Sequence, residues 1–219
     1  MSPRDSDPRG EFLAAFPVSR ETAARLERYE SLLLEANQGL SLISPTTESV
    51  VWTRHFLDSA QLIPIIPAPE DSVVDIGTGA GFPGLVLAIM GLPNIHLVEH
   101  NMRKAAFLRT VIDDLGLTVT VHAMKSESVR PFRAGAATAR ALKPLPQLIA
   151  LGRRFIDPGS VCVFPKGRRA TEELVEAERE WTMKVERFPS LTDPESTIFR
   201  LSAIHEAKPA RAANTGVRP

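Results

Sequence analysis

Ser72-Val-Val-Asp-Ile-Gly-Thr-Gly-Ala-Gly-Phe-Pro-Gly84 decides how the rest of this chain is read. Val73, Val74 and Ile76 make a β-branched run, the pattern of a strand buried on both faces of a parallel sheet. Gly77, Gly79 and Gly81 then supply backbone that turns sharply and lies against a ligand with no Cβ between. Pro83 suits a first helical turn, and Leu85 to Ile89 continue an apolar helix toward Gly91. Strand, glycine loop and helix open a doubly wound α/β sheet of Rossmann-like type, which binds its ligand at the carboxyl ends of the strands.

The glycines match Gly79-x-Gly-x-x-Gly84, a pattern that does not by itself name the ligand. Asp75 narrows the choice. A carboxylate at the end of the first strand repels a dinucleotide's pyrophosphate and favours a cationic ligand. S-adenosylmethionine carries a sulfonium and an ammonium and no phosphate. Asn94-Ile-His-Leu-Val-Glu99 reads as the next strand, and Glu99 stands about 20 residues beyond the loop, where a carboxylate accepts both ribose hydroxyls. From the residues alone, Asp75, Gly79, Gly81 and Glu99 are therefore candidate cofactor-binding residues.

Composition sets the bounds. The chain has 219 residues, 43% of them hydrophobic, enough for a substantial core. Lys plus Arg and Asp plus Glu are both 26, so an RNA partner requires a local basic patch rather than an overall positive charge. Cys162 is the only cysteine, which excludes an internal disulfide or a cysteine zinc set, and no metal site is expected. No apolar run approaches a membrane span and Met1 to Gly10 is not signal-like, so a cytoplasmic protein is expected.

Along the chain, residues 1–18 read as a loose leader, 19–66 as an N-terminal helical cap, 67–205 as the cofactor-binding domain and 206–219 as a disordered tail. Ser19 caps a helix whose apolar face is Ala23, Leu26, Tyr29, Leu33 and Leu34, and a second helix starts near Thr47. The second helix carries Arg54-His-Phe-Leu-Asp-Ser59, where helical spacing puts Arg54 and Asp58 on one face beside His55. That set is either a helix ion pair or part of a site.

Beyond Glu99, helix and strand continue to alternate. Lys125 and Ser126 lie in the loop after the third strand, where adenine lies in this architecture. Arg140 falls near the end of the fourth strand, as a clamp on nearby carboxylates or as a contact to cofactor or substrate. Asp157-Pro-Gly159 is a turn and Ser160 to Phe164 a fifth strand. The loop Pro165-Lys-Gly-Arg-Arg169 is the densest positive charge in the chain, either solvated or phosphate-binding. Met183 to Phe188 and Thr197 to Ile204 read as an antiparallel pair closing an otherwise parallel sheet.

Arg54-His-Phe-Leu-Asp-Ser59, the glycine loop ending Gly81-Phe-Pro-Gly84, Lys104-Ala-Ala-Phe-Leu-Arg109, Ala139-Arg-Ala141 and Lys166-Gly167 together resemble the RsmG (GidB) family, bacterial small-subunit rRNA guanine-N7 methyltransferases. The resemblance implies a class I methyltransferase fold and transfer of a methyl group from S-adenosylmethionine to N7 of guanine 527 of 16S rRNA. The substrate is expected within the small ribosomal subunit or a precursor, and the enzyme as a monomer. The resemblance also places cofactor contacts at Gly77, Phe82, Lys125, Ser126 and Arg140. Arg54, His55, Lys166 and Arg168 are candidate RNA-binding residues, with Arg140 and Lys166 as positioning groups and no dedicated catalyst. The chain departs from the family pattern at Ala36-Asn37 and Ser41-Leu-Ile43. Two alternatives keep the same cofactor site: methylation of a small molecule, or a cofactor sensor without turnover.

Overall fold

The β-branched run becomes strand β1 (Val73–Ile76), with all four residues buried. The computed structural model describes residues 7–67, 71–140 and 142–207. Parallel neighbours flank β1 on both sides, β2 (Ile95–Val98) and β4 (Ala134–Thr138). Further out lie β3 (Val119–His122) beside β2 and β5 (Ile156–Lys166) beside β4, both parallel. The chain then returns through β6 (Trp181–Pro189) and β7 (Thr197–Glu206), and β7 inserts antiparallel between β5 and β6. The strand order is thus β3-β2-β1-β4-β5-β7-β6.

Alternate residues of the sheet serve two apolar layers. Val73, Ile95, Leu97, Val161 and Val163 pack with the N-terminal helices α1 (Pro8–Ala15) and α2 (Arg20–Leu40), and with α4 (Gly84–Ile89) and α5 (Met102–Leu115). Val74, Ile76, Cys162, Phe164 and Phe199 face α6 (Leu145–Gly152) and α7 (Ala170–Glu180). The N-terminal helices and the sheet share the first cluster, which runs from Phe12 and Tyr29 to Leu85 and Leu97. Burying one such side chain fully is worth about 1.5–3 kcal/mol.

Several local expectations need correction. Residues Pro8–Ala15 are a helix rather than part of a loose leader: Pro8 occupies its start, Glu11 its first turn, and Phe12 is buried against Trp52 with ring centroids 5.3 Å apart. The helix expected from Thr47 is composite, with a 3₁₀ stretch Pro45–Val50, a π-helical stretch Trp52–Leu57 and a short α-helix, α3 (Asp58–Ala60). Ser160 does not begin the fifth strand. It begins at Ile156 and absorbs Asp157-Pro-Gly-Ser160 as a register irregularity between Ala134 and Ala136 of β4. Pro165 and Lys166 end that strand instead of lying in a loop, and Glu206 ends β7 instead of starting a tail. Residues 208–219 of that expected tail lie outside the described residues.

Other expectations hold in detail. The Ser19 hydroxyl accepts from Thr22 N at 3.1 Å, capping α2. Asn37, next to Ala36, accepts from Leu42 N (2.7 Å) and Ile43 N (2.9 Å) and donates to Glu48 (2.6 Å), so one side chain shapes the loop after α2.

Candidate active site

The carboxyl ends of β1, β2 and β3 converge on a cleft of about 350 Å³, lined among others by Gly77, Val98, Met124, Lys125, Ser126 and Leu142. Gly77 and Gly79 hold positive φ of 68° and 60°, and Gly81 one of 107°. A Cβ on Gly77 would lie 2.7 Å from Leu142 Cδ1, whereas one on Gly79 would meet nothing nearer than the Gly77 carbonyl at 4.0 Å. The loop thus presents bare backbone to open space at Gly79, where an added methyl group would occupy ligand volume.

Both acids read from the sequence hold this loop. Asp75 is fully buried, and its Oδ2 accepts from the Thr78 hydroxyl (2.5 Å) and Gly84 N (2.8 Å). Its Oδ1 is buried with no partner. Burial pushes the carboxyl up to about 6, and the hydrogen bonds from Thr78 and Gly84 and the charge of Arg140 oppose that rise. Glu99, 4% exposed, accepts from Gly79 N at 3.0 Å and Asn101 N at 2.7 Å. Each carboxylate oxygen retains a second lone pair for a ligand hydroxyl. An open glycine and an acid at the end of β2 fit a nucleoside-like ligand, and the orphaned Asp75 oxygen beneath the loop adds negative charge that suits a cationic tail.

Arg140, just past β4, points elsewhere. Its Nη1 donates to Asp58 Oδ2 (3.0 Å) and to the Arg54 carbonyl (3.2 Å), while its Nη2 lies 2.9 Å from His55 Nδ1. Asp58 pairs with Arg140, the clamp reading, and not with Arg54 one helical turn away. The Arg140 guanidinium also lies over the Phe82 ring at 4.9 Å, and His55 stacks on that ring at 4.8 Å and 12°. The Phe82 ring is therefore turned into the cap, among Tyr29, Phe56 and His55, and leaves only its backbone facing the glycine loop.

These groups floor a second cleft of about 520 Å³ that includes Arg54, His55, Arg140, Lys166, Arg168 and Asp193. The RNA-binding candidates differ sharply in what they can reach. Arg54 and Arg168 are exposed. His55 is buried, with Nε2 3.0 Å from the Thr47 hydroxyl, and its pKa falls to about 3 through burial first and then the charges of Arg140 and Arg54. Lys166 is 10% exposed and bonds Glu173 at 2.7 Å and the Lys143 carbonyl at 2.9 Å. Glu173 also accepts from Leu145 N at 2.7 Å, so Lys166 and Glu173 tie α7 to the 142–145 segment that borders the first cleft. Lys166 thereby joins the two clefts and has no charge left over for a phosphate.

Sequence reasoning missed the loop between β6 and β7. Gln61 accepts from Leu191 N (2.7 Å), and Thr192 donates to Asp58 (2.7 Å), docking that loop on the cap. No local pattern carries a contact between residues 134 positions apart.

The sheet order, the glycine loop after β1 and the cleft at the strand ends define the Rossmann-like fold of class I methyltransferases. Among solved structures, the O-methyltransferase from Bacillus cereus in complex with SAH is similar with a TM-score of 0.59 at 16% identity, covering 88% of this chain and 96% of that one. A ribosomal protein L11 methylase from Lactobacillus delbrueckii subsp. bulgaricus follows at 0.56 and 12%, covering 72% and 80%. The chain belongs to the GidB family, rRNA small subunit methyltransferase G, whose model matches residues 22–199. Ribosomal RNA small subunit methyltransferase G of Rhodospirillum centenum is 52% identical over 194 residues, covering 89% of this chain and 90% of that protein. Its counterpart in Rhodospirillum rubrum is 44% identical over 196 residues, covering 90% and 98%.

Proposed function

We propose that this chain transfers a methyl group from S-adenosylmethionine to N7 of guanine 527 in 16S rRNA, acting as a cytoplasmic monomer on the small subunit or a precursor. The observation that carries this reading is the pair of adjoining clefts on one sheet edge. One lies at the glycine loop, which the buried acids Asp75 and Glu99 hold from behind, and the other has exposed arginines at its mouth.

The cofactor supplies a sulfonium methyl group. Around it, the Glu99 carboxylate would accept the ligand's hydroxyl groups, buried Asp75 would supply negative charge from behind the loop, Gly77 and Gly79 would allow close approach, and Lys125 and Ser126 would meet the base through their backbone. N7 of guanine has a lone pair and no proton to lose, so in-line attack requires no general base. The second cleft agrees: His55 stays neutral with both ring nitrogens engaged, and Asp58 is already bonded to Arg140, Gln61 and Thr192. Catalysis then rests on holding the reacting atoms about 3 Å apart and aligned. Because the transfer would exchange one positive charge for another, the acids would position the cofactor rather than drive charge separation. Arg54 and Arg168 contact RNA phosphates, while His55 and Lys166 support Arg140 and the 142–145 segment from behind.

Methyl transfer from labelled S-adenosylmethionine to unmodified small subunits and to naked 16S rRNA, with the modified base mapped, tests the reading. Label on N7 of guanine 527 is expected. Cofactor binding without label on either RNA would instead favour a small-molecule methyltransferase or a sensor.

A further inference from the structure

The second cleft has two unlike walls. On one side stand Arg54 and Arg168, and on the other the loop Ser190-Leu-Thr-Asp-Pro-Glu-Ser196 between β6 and β7. One acid of that loop pairs with an arginine, and a second lines the same cleft. Glu195 Oε2 lies 2.7 Å from Arg168 Nε, with both side chains exposed. Asp193 is held below the usual carboxylate range first by Glu195 N–H and the Ser196 hydroxyl, then by the charges of Arg54 and Arg168. Polar contacts to the cap hold the loop in place: Leu191 N to Gln61 and Thr192 to Asp58.

We propose that Asp193 and Glu195 are specificity-determining residues, a built-in phosphate mimic in which Glu195 pairs with Arg168 and Asp193 adds negative charge to the same cleft until the correct RNA displaces Glu195. The proposal rests on reading this cleft as the RNA face. Exposed ion pairs of this kind are individually weak. They are therefore cheap to open for an RNA that also places its guanine over the cofactor cleft, and they remain closed to an RNA that offers phosphates alone. The acids also act where charge matters most. Binding of arbitrary RNA depends almost wholly on phosphate contacts, so two negative charges at the cleft mouth penalise it more than they penalise an RNA with additional contacts. Overall neutrality, 26 basic against 26 acidic residues, removes any compensating long-range attraction.

The full-length chain, its Glu195→Gln variant and an Asp193→Asn/Glu195→Gln double variant are compared on two probes across a salt series. One probe is the 16S rRNA hairpin carrying guanine 527, and the other an unrelated hairpin of equal length. The expected result is a gain for the unrelated hairpin of about three-fold per charge removed, and a smaller gain for the target hairpin. Salt dependence should steepen by up to about 0.7–0.9 in log–log slope per phosphate newly engaged. Methyl transfer to the target should also become more sensitive to unrelated RNA added as competitor. Asp193 shapes its own loop, so Glu195→Gln alone decides the matter if the double variant folds poorly. Unchanged or weaker binding of the unrelated hairpin by Glu195→Gln overturns the mimic. Arg168→Ala separates the two readings: if it leaves both affinities unchanged, the cleft is not the RNA face. If it weakens both while Glu195→Gln changes nothing, only the mimic fails.

Discussion

Asp75 is a carboxyl group folded where water cannot solvate it, with one oxygen bonded twice and the other not at all. In the unfolded chain it titrates near 3.8 and in the folded chain near about 6, so between those values the folded state holds the extra proton. Its contribution to stability is fully present below pH 3.8 and is lost as pH rises through about 6, a swing on the order of 3 kcal/mol. A cationic ligand bound at the glycine loop would favour the ionised form. Cofactor binding should therefore release a proton and tighten as pH rises through the same window, which calorimetry in buffers of different ionisation enthalpy measures. Affinity that stays flat from about pH 5 to pH 8 would remove Asp75 from the binding account. His55 has the opposite sign. Its pKa is lowered to about 3, so the unfolded chain takes up the proton first, and stability is lost as pH falls from 6.5 toward 3.

Between β1 and α4, conformation and space make separate demands on the glycines. Gly79 needs its positive φ but has room, whereas a Cβ on Gly84 would lie 2.2 Å from Leu97 Cδ2 and 2.9 Å from Asp75 Oδ2. Gly79→Ala should thus fold with a loss of about 1 kcal/mol and bind the cofactor at least about ten-fold more weakly. Gly84→Ala should lower the melting temperature by far more, since overpacking costs on the order of 1–3 kcal/mol and here also disturbs a buried carboxylate. Equal stability of the two variants would contradict the geometry.

This loop was legible because everything that makes it is local: a β-branched run, glycines and a second acid at a fixed interval. Arg140 was legible as a position and not as a set of partners, because Asp58 and His55 lie 82 and 85 residues away. Helix α1 escaped notice for another reason. Eight residues give little periodicity, and what orders them is Phe12 entering a site made by Trp52.

Across the whole molecule, aromatic contacts carry the N-terminus to the site. Phe12 meets Trp52, Trp52 meets Phe56, Phe56 stacks with Tyr29, and Tyr29 donates to the Ala80 carbonyl at 2.6 Å and touches Phe82. Removing the first link should reach the last. Phe12→Ala is expected to cost about 3 kcal/mol, a fall in melting temperature of about 10 °C, together with weaker cofactor binding. An unchanged melt would make α1 a passive appendage.

The insertion of β7 between β5 and β6 also has a consequence in time. A ribosome makes β5 and β6 first, and β5 and β6 meet only through the strand that emerges last. Until Thr197–Glu206 has left the exit tunnel, β5 keeps a free apolar edge and the loop that closes the second cleft has no second strand to anchor it. A chain on which β7 has yet to emerge therefore carries an unpaired β5 edge, open to pairing with another chain, and a second cleft with one wall unanchored.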